Sequence, residues 1–98
     1  MISSVYILYS PSLDSFYTGF TSTSVEERLN KHNEKYYNKK YTAKASDWEI
    51  YLSIECASEK QAREIEAHIK RMKSKIYIHN LKRYPNMIIE LLNKYTDQ

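Results

Sequence analysis

Residues 4–9, Ser-Val-Tyr-Ile-Leu-Tyr, and residues 16–21, Phe-Tyr-Thr-Gly-Phe-Thr, decide how the rest of this chain must fold. Both are rich in β-branched and aromatic residues, the composition of strands. In the first, which begins near residue 2, Val5, Ile7 and Tyr9 point one way and Ser4, Tyr6 and Leu8 the other. Bulk on both faces marks a central strand. Between the two stretches lies Pro11-Ser-Leu-Asp-Ser15, a turn by composition, so the pair reads as a hairpin. On the returning strand Phe16, Thr18 and Phe20 share one face, and Tyr17, Gly19 and Thr21 the other. Gly19 is the only glycine in the chain. A lone glycine beside a strand marks a place where backbone or a ligand comes close.

Working outward, Ser24 with Glu27, or Thr23 with Glu26, forms a capping box. The helix it opens is expected to run to about Tyr36, with Val25, Leu29 and Tyr36 as its buried stripe. Arg28 and His32, one turn apart, flank that stripe. Residues 38–47 have no period and read as a basic loop. From Trp48 to Cys56 the alternation is the clearest in the chain, with Ile50, Leu52, Ile54 and Cys56 on one buried face. Ser58 with Gln61 opens a second helix, whose inward stripe is Ala62, Ile65, Ile69 and Met72. Glu66 lies on the edge of that stripe. A break at Ser74 or Lys75 precedes a short helix with Ile76, Ile78 and Leu81. Pro85 suits the first turn of a last helix, with Ile88, Ile89, Leu91 and Leu92 as its apolar content.

The length, 98 residues, is one domain's worth, and neither repeats nor a second domain are visible. Ten tyrosines supply apolar area with a polar tip, which suits wet clefts and interfaces. The net charge of +3 is too mild to imply nucleic acid by itself. Its distribution says more: Lys31, Lys35, Lys39, Lys40 and Lys44 cluster in the middle, and Lys70, Arg71, Lys73 and Lys75 follow later. Cys56 is the single cysteine, which excludes an internal disulfide and is compatible with a reducing compartment. There is no signal region and no long apolar run, so the expectation is a cytoplasmic protein without a membrane partner.

The residues able to do chemistry are Tyr6, Tyr17, Arg28, His32 and Glu66. Taken singly, each has an ordinary explanation: packing tyrosines, a solvated helix arginine, a core-edge histidine. Glu66 is harder to explain away, because carboxylates seldom face a core without a partner or a metal.

In order and spacing these residues resemble the GIY-YIG nuclease superfamily. Ser4-Val5-Tyr6 followed by Tyr17-Thr18-Gly19 is similar to its paired motif. The resemblance continues through Arg28 and His32, Tyr41-Thr42, Trp48-Glu49-Ile50-Tyr51, Ala62-Arg63-Glu64-Ile65-Glu66 and Lys70-Arg71-Met72-Lys73. It covers about residues 2–82 and is nearest to small stand-alone bacterial members, themselves similar to the nuclease domain of the DNA-repair excinuclease. It implies an α+β fold, with a small three-stranded antiparallel sheet flanked by helices. Residues 1–82 would form the nuclease domain and 83–98 a helical extension of it.

The resemblance also implies hydrolysis of DNA phosphodiesters with Mg²⁺ or Mn²⁺, with a role in repair or recombination. Glu66 would be the metal ligand and Arg28 the phosphate contact. One of Tyr6 and Tyr17 would help deprotonate the attacking water, and His32 would belong to the proton network. Ser4, Val5 and Thr18 depart from the motif's usual residues, and Met72 stands where many relatives carry tryptophan; none removes a catalytic group. A competing reading is a nucleic-acid-binding module with little cleavage, using Lys31, Lys35, Lys39, Lys40, Lys44, Lys70, Arg71 and Lys73, with Tyr36, Tyr37 and Tyr41 for stacking. RNA is a further substrate class the residues allow. A third reading uses the apolar residues 88–92 to bind a protein partner or a second copy.

Overall fold

The computed structural model describes residues 2–34 and 41–96. Its sheet is built on β1 (Ser3–Ser10), which lies in the middle of the order β2-β1-β3. Strand β2 (Ser15–Thr21) returns antiparallel from the turn, pairing Tyr6 with Gly19 and Leu8 with Tyr17. Asp14 takes a left-handed φ of 48° in that turn. Its carboxylate lies 3.4 Å from Lys75, tying the turn to a distant helix. Strand β3 (Glu49–Cys56) pairs antiparallel with the other side of β1.

Because β1 carries bulk on both faces, the sheet has two cores. Val5 and Ile7 join Ile54, Cys56 and the inward residues of three helices: α2 (Glu59–Met72), α3 (Lys75–Arg83) and α4 (Pro85–Lys94). Tyr6 and Leu8 face the other way and join Val25, Ala45 and Trp48, under α1 (Val25–Asn33). The caps follow the hydroxyls: Ser24, Ser58 and Ser74 accept from the backbone N–H groups of Glu27, Gln61 and Tyr77, respectively. The three-stranded antiparallel sheet with its helices is the expected α+β architecture.

Several local expectations need correction. Helix α1 ends at Asn33 with Glu34 as its cap. Tyr36 and Tyr37 lie outside the described residues, and the buried stripe of α1 is completed by His32. Among the described residues of the expected basic loop, Tyr41–Lys44 form a 3₁₀ turn, with Thr42 1% exposed. In β3 the pairing slips between Ile7 and Leu8, which face Leu52 and Ile50 respectively. Tyr51 is thus the extra residue of a β-bulge, and the bulge turns Ile50 to the Trp48 side, away from Leu52, Ile54 and Cys56.

Met72 and Ile76 are exposed, at 44% and 73%. Met72 is the last residue of α2, just before the chain reverses through Lys73 at a φ of 48°. Ile76 lies two residues from the buried Ile78, and that spacing puts it on the opposite side of a helix. In α4 Leu91 is buried, Ile88 and Leu92 pack partly against the core, and Ile89 is exposed. Most of the face that could have bound a partner is therefore already covered. Among the described residues no helix is long and apolar enough to cross a membrane.

Candidate active site

Strand parity puts Tyr6 and Tyr17 on the α1 side of the sheet, while α2 packs on the other face. The two sides meet at β2, the edge strand. There Tyr6, Tyr17, Gly19, Phe20, Arg28, His32 and Glu66 surround one cavity of about 150 Å³. All five residues singled out for chemistry are in this set.

His32 is the buried centre of the arrangement, at 2% exposure. Its Nε2 lies 3.1 Å from the Tyr6 hydroxyl and its Nδ1 lies 2.7 Å from the Thr42 hydroxyl. The Tyr17 ring stands 5.0 Å from the imidazole and 6.5 Å from the Tyr6 ring, centre to centre. Burial, and then the nearby Arg28 guanidinium, push the His32 pKa down to about 4. The ring is therefore neutral near pH 7 and has one N–H to give and one nitrogen to accept.

Arg28 is held by Nε donating to Thr21 Oγ1 at 3.2 Å. The same oxygen accepts from the Thr23 backbone N–H at 3.0 Å, so Thr21 locks the end of β2 to the start of α1. Gly19 has its own explanation. A Cβ built there would sit 2.6 Å from the Tyr6 hydroxyl oxygen and 2.7 Å from Cζ. What comes close at Gly19 is thus the Tyr6 ring, directly opposite it in the β1–β2 register, in place of the backbone or ligand expected there.

Glu66 reaches the cavity from α2 with its side chain 18% exposed. Lys70, one turn on, places Nζ 3.3 Å from Glu66 Oε2 and 5.9 Å from the centre of the Tyr17 ring. Among the described residues Glu66 is the only carboxylate around the cavity, and there is no cluster of three or more metal-ligating side chains. One carboxylate fits a hard divalent cation that keeps most of its waters, and would not hold zinc, which takes three or four protein ligands. The carboxylate already attracts one cation, the Lys70 ammonium.

The basic residues divide. Lys70 and Lys73 line a groove of about 370 Å³ that shares Tyr17 with the cavity. Arg71 lines a separate groove of about 350 Å³ with Lys60 and Arg63, on another side of α2. Lys31 pairs with Glu27 at 3.8 Å, and Lys44 is exposed. Lys35, Lys39, Lys40 and the Tyr41 side chain lie outside the described residues. Sequence reasoning missed Thr21 and Thr42 as supports of the site. Thr21 shares a strand face with Tyr17 and Gly19, which was a usable signal; Thr42 had only its place after Tyr41.

A small α+β domain with two tyrosines, an arginine, a histidine and one carboxylate around a cleft has the makings of a phosphodiester-cleaving site. The model of the GIY-YIG catalytic domain matches residues 2–84, and the chain belongs to this family, which is of nuclease type. Comparisons with curated proteins and with solved structures give no match.

Proposed function

We propose that the protein is an endonuclease that hydrolyses DNA phosphodiester bonds with Mg²⁺ or Mn²⁺ held by Glu66. In this reading it resembles the small stand-alone nucleases and the nuclease domain of the DNA-repair excinuclease, works in the cytoplasm, and acts in DNA repair or recombination. Residues 1–82 form its nuclease body and 83–98 a helical extension. The observation that carries the reading is the convergence of Tyr6, Tyr17, Arg28, His32 and Glu66 on one cavity in a chain of this family.

A bound divalent ion supplies charge neutralisation at the phosphate and lowers the pKa of a water. Glu66 holds it with one negative charge. Arg28, fixed by Thr21, faces the non-bridging phosphate oxygens, where negative charge grows in the transition state. Tyr6 or Tyr17 takes the proton of the attacking water. An ordinary phenol loses its proton near ~10, so it needs the positive surroundings of Arg28 and the ion. His32, neutral and hydrogen-bonded to Tyr6, holds that hydroxyl in place. Lys70 and Lys73 take up the backbone beside the scissile bond along their groove.

The test is Glu66→Gln. Glutamine keeps the shape and loses the charge that holds a hard cation. Cleavage of a DNA panel of single strands, duplex, flaps and junctions should fall by ~10²-fold or more. DNA affinity should hold or rise, because the substitution releases Lys70 from its pairing with Glu66 and removes a negative charge beside the phosphates. The partly exposed Glu66–Lys70 pair stabilises the fold by less than about 1 kcal/mol, so the melt should barely move. A folded Glu66→Gln protein that cleaves like wild type removes the metal role. A wild type that binds DNA and never cleaves it with either ion selects the binding-module reading.

A further inference from the structure

Thr42 is buried to 1% exposure in a segment that otherwise looks like a surface loop. Its backbone is held from the start of β3: the Trp48 indole Nε1–H donates to the Thr42 carbonyl at 2.9 Å. Trp48 is held in turn from α1. The Asn33 side chain accepts from the Trp48 N–H at 2.7 Å and donates to the Trp48 carbonyl at 2.8 Å. These bonds fix one atom with respect to the cavity, the Thr42 hydroxyl oxygen, 2.7 Å from His32 Nδ1.

The direction of that hydrogen bond follows from satisfying donors. A buried hydroxyl carries one hydrogen and is costly to leave unpaired. Among the described residues, His32 Nδ1 is the acceptor within reach of the Thr42 hydroxyl. If Nδ1 carried the ring proton, it would donate to Oγ1 and leave the Thr42 hydrogen without an acceptor. If Nδ1 is bare, Thr42 O–H donates to it, and the ring proton sits on Nε2, 3.1 Å from the Tyr6 oxygen. Which nitrogen of a histidine carries the proton is set by the bond the other nitrogen makes.

We propose that Thr42 is a positioning residue: its hydroxyl donates to His32 Nδ1, locks the imidazole as the Nε2–H tautomer, and aims that N–H at the Tyr6 hydroxyl oxygen. Tyr6 then receives a hydrogen bond at the atom that would carry negative charge, and its own proton is turned from His32 toward the cavity that Tyr6 lines, where solvent can accept it. The tautomer itself does not depend on what the cavity does. Its consequence for turnover rests on the nuclease reading above.

The experiment compares wild type, Thr42→Val and Thr42→Ser. Valine keeps the shape and removes the hydroxyl; serine keeps the hydroxyl. The ring ¹⁵N shifts of His32 in the metal-free protein should report Nε2–H in wild type and Thr42→Ser. In Thr42→Val they should report a mixture or Nδ1–H. Cleavage turnover at saturating DNA should fall ~10–100-fold in Thr42→Val, the usual cost of removing such a support, and return toward wild type in Thr42→Ser. DNA affinity should stay within about twofold throughout. A wild-type ring protonated on Nδ1 overturns the proposal, and that measurement decides even if Thr42→Val fails to fold. An unchanged tautomer in Thr42→Val also overturns it, as does equal loss of turnover in the serine and valine variants. If wild type cleaves no DNA, the nuclease reading fails and the ¹⁵N shifts still decide the lock.

Discussion

At the residue scale the site is organised by close fits more than by charges. Gly19 shows this best. Its backbone has no left-handed φ, so the conformation does not demand glycine. What demands it is the Tyr6 ring lying across it, with the hydroxyl 2.6 Å from where a Cβ would be. Tyr6 cannot easily yield, since it is 3% exposed and bonded to His32. Gly19→Ala should therefore push the Tyr6 hydroxyl off its position and break its bond to His32. We expect turnover to fall at least ~10-fold, because displacements of about 1 Å in catalytic groups can cost that much or more. The fold should lose only ~1–3 kcal/mol, the usual cost of overpacking. Assaying cleavage beside a chemical melt checks this. Normal turnover in Gly19→Ala would mean that Tyr6 tolerates the shift and is not held for chemistry.

At the scale of elements, α2 carries different groups on its different sides. Ala62, Ile65 and Ile69 are buried against the sheet. Glu66 faces the cavity, and Lys70 and Lys73 continue from it along the adjoining groove. Lys60, Arg63 and Arg71 line the other groove. If DNA follows the cavity, Lys70→Ala with Lys73→Ala should lower the slope of log affinity against log salt by up to about 2, close to 0.9 per lost phosphate contact. Lys60→Ala with Arg71→Ala should leave the slope unchanged. Equal effects of the two pairs would place the nucleic acid on both sides of α2 and separate the binding path from the cavity.

The elements are also where the sequence was most and least informative. The two faces of β1 and of β2 were legible because side chains alternate along a strand; that Tyr6 and Tyr17 share a face needed the register as well, which pairs Tyr6 with Gly19 and Leu8 with Tyr17. The Ser24 and Ser58 caps were legible because a Glu or Gln stands three residues after each, whereas Ser74, read only as a break, caps α3 with no such partner at Tyr77. The bulge at Tyr51 was not. Trp48 to Cys56 alternates without interruption, and only the pairing with β1 shows that one residue is extra. Met72 fits the stripe of α2 and is still exposed, because the helix outlasts the core it packs on. Thr42 was illegible for a third reason: its partners His32 and Trp48 act through a 3₁₀ turn that has no period of its own.

At the scale of the whole molecule, burying His32 makes the fold sensitive to acid. The folded chain holds this histidine down at about 4, against an ordinary value of 6.5. The main cost of protonation is not the Thr42 hydroxyl's loss of its acceptor at Nδ1. It is desolvation of the charge and repulsion by Arg28. Above pH 6.5 both folded and unfolded chains carry a neutral ring, and stability is complete. As pH falls from 6.5 toward 4 the unfolded chain takes the proton first, so stability is lost across that window and no further below it. The loss reaches up to about 3 kcal/mol at ~1.4 kcal/mol per pH unit. Asp14 and Asp47 are held below the ordinary carboxylate range, mainly by hydrogen bonds from Tyr9 and Ser10, and weaken the fold only at lower pH. His68, also lowered by burial, contributes in the same direction as His32 and would leave some slope behind. Chemical denaturation of wild type and His32→Gln at half-unit steps from pH 7 to pH 4 isolates the His32 share. The variant should start less stable and converge on wild type as pH falls, because glutamine has no proton to gain. Parallel curves across the window would mean that His32 opens to solvent and titrates like any surface histidine, and the buried bonds to Tyr6 and Thr42 would then not hold in solution.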